Sequence, residues 1–116
     1  MIFNVGLVKD KTKKNRERIL QKLIKKYQRE IAGYIKSEMR KGETWVRFSS
    51  GSYFEGVAFD ALKHVLNKLY NAGYTIKGQI NGTYYEGSDM FTLKTEGRKY
   101  TVDIKISWSE EENWFL

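Results

Sequence analysis

Residues 98–108 read RKYTVDIKISW. Tyr100, Val102, Ile104, Ile106 and Trp108 fall on one side of this segment, and Lys99, Thr101, Asp103, Lys105 and Ser107 on the other. That period-two alternation predicts a strand with one face buried and one face wet or bound to something. A half-covered strand belongs to an antiparallel sheet, and its apolar face needs a cover. Upstream, the turn signals Asn81-Gly82, Gly87-Ser88-Asp89 and Glu96-Gly97 divide the chain into further short strands over residues 74–80, 83–86 and 90–95. Residues 44–49 (TWVRFS) add another, rich in β-branched and aromatic side chains.

The cover comes from two helical patterns. The first runs from Thr12 or Asn15, either of which is a suitable N-cap, to a stop at Gly42. Its apolar positions, Ile19, Leu20, Leu23, Ile24, Tyr27, Ile31, Tyr34, Ile35 and Met39, recur in steps of three and four and fall on one arc. The second spans roughly Phe54 to Ala72, with Val57, Ala58, Ala61, Leu62, Val65, Leu66, Leu69 and Tyr70 inward and Gly73 as its left-handed cap. The first eight residues alternate loosely and read as a short strand. The fold expected is α+β: a long N-terminal helix, a strand, a second helix and an antiparallel β-meander, with the helices on one sheet face. A single domain is expected over 1–116, with a basic amphipathic helix at 9–42, a body at 44–108 and an acidic, aromatic tail at 109–116.

Charge is distributed unevenly along this framework. Residues 9–29 hold ten Lys or Arg against Asp10 and Glu17, a net +8, whereas the whole chain carries +7. The rest of the protein is therefore close to neutral, and its field is directional. Lys11, Lys14, Arg18, Lys22, Lys25, Arg29, Lys36 and Arg40 lie on a narrow arc opposite the apolar one. Three readings fit such a stripe. It is a solvated or self-associating face, a track for nucleic-acid phosphates, or a contact with an anionic membrane surface. The last needs a free apolar face, which the sheet already claims, so no membrane partner is expected.

Composition excludes several chemistries. With 116 residues and 41% hydrophobic content the chain can bury a core. Absence of cysteine rules out disulfides and thiolate metal sites and favours a cytoplasmic location. His64 is the only histidine, and Glu55, Asp60, Glu86, Asp89 and Asp103 have no metal-ligand or acid–base spacing. No Walker or dinucleotide fingerprint is present. The chain is expected to be no enzyme and to need no metal or cofactor.

Three further candidates stand beside the stripe. The loop Ser49-Ser50-Gly51-Ser52 leads from a strand toward a helix, where unpaired amides favour an anion. With Arg47 and Tyr53 it outlines a possible nucleotide or phosphate pocket, or an ordinary connection with a serine cap. Tyr84 and Tyr85 are adjacent in a strand and point to opposite faces, so one of them, with Tyr53 or Trp45, is a candidate stacking platform. Trp114, Phe115 and Leu116 follow three glutamates and suggest an interface, in this subunit or another.

The order of these elements, with Leu69-Tyr70-Asn71-Ala72-Gly73-Tyr74 closing the second helix and Ile104-Lys105-Ile106-Ser107-Trp108 near the end, resembles short uncharacterised accessory proteins of Gram-positive phages and mobile elements. The likeness covers residues 15–108 and rests on structural motifs. It implies an accessory role in a host cytoplasm and transfers no catalytic residues. The expected function is thus non-catalytic binding of a nucleic acid, or of a host nucleic-acid-handling or defence protein, through the cationic helix. The alternatives are sequestration of a small anionic ligand such as a signalling nucleotide, and a structural oligomerisation module.

Overall fold

A computed structural model describes residues 4–49, 54–93 and 99–109. Its elements are α1 (Val5–Arg40), β1 (Trp45–Ser49), β2 (Phe54–Glu55), α2 (Val57–Asn71), β3 (Thr75–Ile80), β4 (Thr83–Glu86), a 3₁₀ turn (Gly87–Met90), β5 (Lys99–Tyr100) and β6 (Val102–Ser107). This is the expected α+β order of long helix, strand, second helix and antiparallel sheet. The four-stranded sheet runs β1-β6-β3-β4, so the last strand lies between the first and third; β2 and β5 form a separate two-stranded ribbon.

Register explains how the sheet is covered. Val46, Ile106 and Ile76 are aligned across β1, β6 and β3, and Phe48, Ile104 and Gly78 form the next inward row. Below them Val102 pairs with Ile80. These side chains pack with Ile24, Tyr27 and Ile31 of α1 and with Phe59, Ala61, Leu62, Val65 and Leu66 of α2 in one core. Tyr100 and Phe59 stack with ring centroids 3.9 Å apart. The inward face of residues 99–108 is thus as the alternation predicts.

Both helices end in the Schellman pattern. At α1 the Glu43 N–H reaches the Glu38 carbonyl and the Gly42 N–H reaches that of Met39; at α2 the Tyr74 and Gly73 N–H groups reach Leu69 and Tyr70. Gly42 and Gly73 take φ of 81° and 108°, values that side chains with a Cβ avoid.

Several boundaries differ from expectation. Residues 5–8 continue the helix instead of forming a strand, because Asn4, not Thr12 or Asn15, is the N-cap: its Oδ1 accepts the Leu7 N–H at 3.1 Å. Thr12 sits inside the helix and donates its hydroxyl to the Val8 carbonyl. The second helix begins at Val57, since residues 54–55 pair with β5. The strand expected over 98–108 is split, in its described part 99–108, at Thr101, whose N–H donates to Asn81 Oδ1 (2.9 Å) and whose carbonyl accepts the Asn81 N–H. Residues 90–93 are not a strand: Met90 ends the 3₁₀ turn fully buried, and Thr92 donates to the Asp89 carbonyl.

Among the apolar positions assigned to α1, Ile19, Tyr34 and Met39 are exposed and Leu20, Leu23 and Ile35 only partly covered. The molecule measures 69 × 28 × 26 Å with a Cα radius of gyration of 17.0 Å, against about 13 Å for a compact chain of this length. The excess is the N-terminal part of α1, where every residue from Val5 to Ile19 is exposed.

Gly78 allows β3 and β6 to approach. A Cβ there would meet the Asp103 carbonyl and lie 2.7 Å from Ile104 Cα. Gly78→Ala is expected to destabilise the fold by about 1–3 kcal/mol through overpacking, measured by urea denaturation with an unchanged slope.

Candidate functional site

The eight stripe residues, Lys11, Lys14, Arg18, Lys22, Lys25, Arg29, Lys36 and Arg40, are all exposed. None forms an ion pair among the described residues. At about 100° per residue they occupy an arc of roughly 80°, turned away from Ile24 and Ile31. The first four span the projecting arm and its root. Beyond Leu20 the arc that would face the body carries Lys9, Lys13 and Arg16 in place of apolar residues. The arm is consequently cationic on several sides, with six Lys or Arg over residues 5–19 against Asp10 and Glu17. The apolar residues that the arm does carry, Val5, Leu7, Val8 and Ile19, are all exposed.

The Trp108 N–H donates to the Thr44 carbonyl at 2.9 Å, so β6 ends beside the C-terminal end of α1. Residues 110–116, with the proposed interface Trp114, Phe115 and Leu116, lie outside the described residues.

Of the anion-loop candidates, Ser50, Gly51, Ser52 and Tyr53 also lie outside the described residues. Ser49 ends β1, exposed. Arg47 is on the sheet face away from the helices, where its Nε and Nη2 donate to Asp103 Oδ1 and Oδ2 at 2.7 and 2.6 Å. Its fork is already filled. The loop is also separated from α2 by β2 and Gly56, so it is not the first turn of that helix, which corrects the expected connection.

Three of the five carboxylates considered for chemistry have local partners in the described residues. Asp60 pairs with Lys63 at 3.3 Å, Asp103 with Arg47, and Glu86 accepts the Tyr84 hydroxyl. His64 is exposed on α2. Among the described residues no cluster of His or acidic groups has metal-binding geometry, and no helix is long and apolar enough to cross a membrane.

Tyr84 and Trp45 emerge on the same open sheet face, while Tyr85 packs toward the core. Lys77 and Lys105, which sequence reading did not single out, join them there. The alternation within each strand assigns these lysines a face, but only the strand order brings them together. No family model matches the chain, and comparison with curated proteins and with solved structures also gave no match.

The charges on this face make one local prediction. The hydrogen bonds from Arg47, and then its charge, hold the Asp103 carboxyl below the usual carboxylate range. A group depressed in this way contributes stability above its unfolded pKa, and that contribution fades as pH falls through the folded value. Carboxyl NMR titration is expected to give Asp103 a midpoint below that of ordinary aspartates, rising in Arg47→Ala. A second measurement concerns the arm. Without tertiary cover, a short helical stretch is marginal, so amides of residues 8–16 are expected to exchange faster than those of Ile24–Ile31. Asn4→Ala, which removes a cap of about 1 kcal/mol, accelerates the former and leaves the latter unchanged.

Proposed function

We propose that the chain is a non-catalytic accessory protein of phage or mobile-element type that binds nucleic acid through the cationic face of α1. The observation that carries this reading is the projecting arm, whose exposed lysines and arginines form no ion pair among the described residues. Over the ~44 Å from Lys11 to Arg40, cations recur on one arc, a spacing suited to following a phosphate backbone. Solubility alone calls for mixed signs, and helices commonly place acids four residues from bases; the stripe is all cationic, and of its eight residues only Lys14, with Asp10 four residues before it, has an acid at that spacing.

The small-anion reading has less support, because the Arg47 fork that it requires is held by Asp103. The host-protein reading needs an acidic partner surface and makes no use of phosphate geometry.

Electrophoretic mobility shift across a salt series tests the proposal. Binding is expected to fall linearly on log–log axes. For the triple charge reversal Lys14→Glu, Arg18→Glu, Lys22→Glu, the slope is expected to lessen by about 3, roughly one per lost phosphate contact. Absence of any DNA or RNA binding at low salt would overturn the reading, and undiminished binding by the triple variant would remove α1 from it.

A further inference from the structure

The sheet face away from the helices carries a charge pattern that its own stability does not explain. Arg47 on β1 is directly opposite Lys105 on β6, and Lys105 is directly opposite Lys77 on β3. Three cations are therefore neighbours in one cross-strand row, an arrangement that is unfavourable without a counter-charge. Asp103 answers Arg47. Glu86, an anion, ends the row directly opposite Lys77, and its carboxylate also accepts the Tyr84 hydroxyl. Lys105 Nζ sits 5.0 Å from the centre of the Trp45 ring, and Lys77 is in no ion pair among the described residues. At opposite corners of the row stand Trp45, 43% exposed, and Tyr84, 54% exposed.

We propose that this open face is a platform for single-stranded nucleic acid, on which Trp45 and Tyr84 stack unpaired bases and Lys77 and Lys105 meet phosphates. The proposal rests on the nucleic-acid reading above and adds to it the strand state of the ligand. Charge complementarity selects the occupant. A protein partner places apolar side chains at the centre of its footprint and charges at the rim; here the centre is charged and the aromatics are at the edges. A duplex keeps its bases stacked and offers no ring face to exposed aromatics, whereas unpaired bases do. Trp45 and Tyr84 are three strands and four residues apart in register, a diagonal of about 20 Å. A segment of several nucleotides crosses that distance over the lysine row.

Fluorescence anisotropy of the full chain tests this, with labelled oligo(dT) of about 15 nucleotides and the same strand paired with oligo(dA). Trp45→Ala and Tyr84→Ala are each expected to weaken oligo(dT) binding about 5- to 100-fold without changing the salt slope. Duplex binding should be unaffected, and Trp45→Phe should retain most of the oligo(dT) affinity. Should Trp45→Ala prove unfolded by circular dichroism, Tyr84→Ala, exposed on the edge strand, carries the same test. If both aromatic variants bind oligo(dT) like the parent while the arm charge reversal loses binding, the platform is wrong and the function reading stands. If a second copy covers the face, so that Trp45→Ala abolishes dimerisation in sedimentation but spares oligo(dT) binding, the platform is likewise overturned. If the parent binds neither probe at low salt, both readings fall.

Discussion

A helix of 36 residues is about 54 Å long, and the longest strands beneath it have six residues, about 20 Å. No packing of one on the other buries the whole helix. The mismatch decides where α1 is anchored and where it is free. Ile24, Tyr27 and Ile31 are buried over the sheet, and the apolar arc stops at Leu20, where cover stops. From there to Val5 the same arc carries Lys13, Arg16 and Lys9, which gain nothing from burial. An isolated stretch of this length would be a marginal helix. Here its nucleation cost is already met by the buried turns, so the arm only extends an existing helix and is closed by the Asn4 cap.

What was legible in the sequence follows from which signals are local. The alternation in 98–108, the three-and-four spacing from Leu20 to Ile35 and the glycine stops at 42 and 73 each depend on a few neighbouring residues, and all reappear in the structure. The errors arise where a distant partner decides. Thr101 looks like one more strand residue, yet the Asn81 turn takes both its backbone groups and splits the strand. Met90 reads as the start of a strand, but the chain turns there to fill a gap in the core. Ile19 has an apolar side chain at helical spacing and remains exposed because the body beneath it has ended. The cationic stripe was visible as a pattern on one helix. The sheet-face cluster was not, because Arg47, Lys77, Lys105 and Tyr84 come from four strands whose order no local pattern specifies.

The two cationic surfaces sit on opposite sides of the body, since the helices cover one sheet face and the lysine row occupies the other. A small ligand does not touch both. A polymer does, and the consequence is quantitative. Once the arm holds part of a strand by screened, sequence-blind contacts, another part of the same strand is present at the sheet at an effective concentration set by the connecting length, on the order of millimolar for short flexible connections. Weak stacking by two aromatics then suffices for occupancy. In the proposed function the arm would govern encounter rate and salt dependence, while the sheet would discriminate paired from unpaired bases.

The proposed division of labour would also give the row Arg47–Lys105–Lys77 a use. Each directly opposed like-charge pair on a sheet costs roughly 0.2–1 kcal/mol relative to a neutral pair. The fold offsets the first by the bidentate contact of Arg47 with Asp103. Lys105 gains from lying over the Trp45 ring, a contact worth about 0.5–1 kcal/mol at an exposed site. Lys77 has the Glu86 carboxylate directly opposite it on β4, so what remains is the Lys105–Lys77 opposition itself, where the exposed face asks only for a polar side chain with good strand propensity, which threonine provides at lower electrostatic cost. Local choices that conflict with stability concentrate where a surface has a second task. An anion placed across the row removes the conflict, because a phosphate between the two ammonium groups turns a repulsive pair into two attractive ones. The same lysines that weaken the free sheet would then strengthen the bound one, so binding and stability are linked on this face.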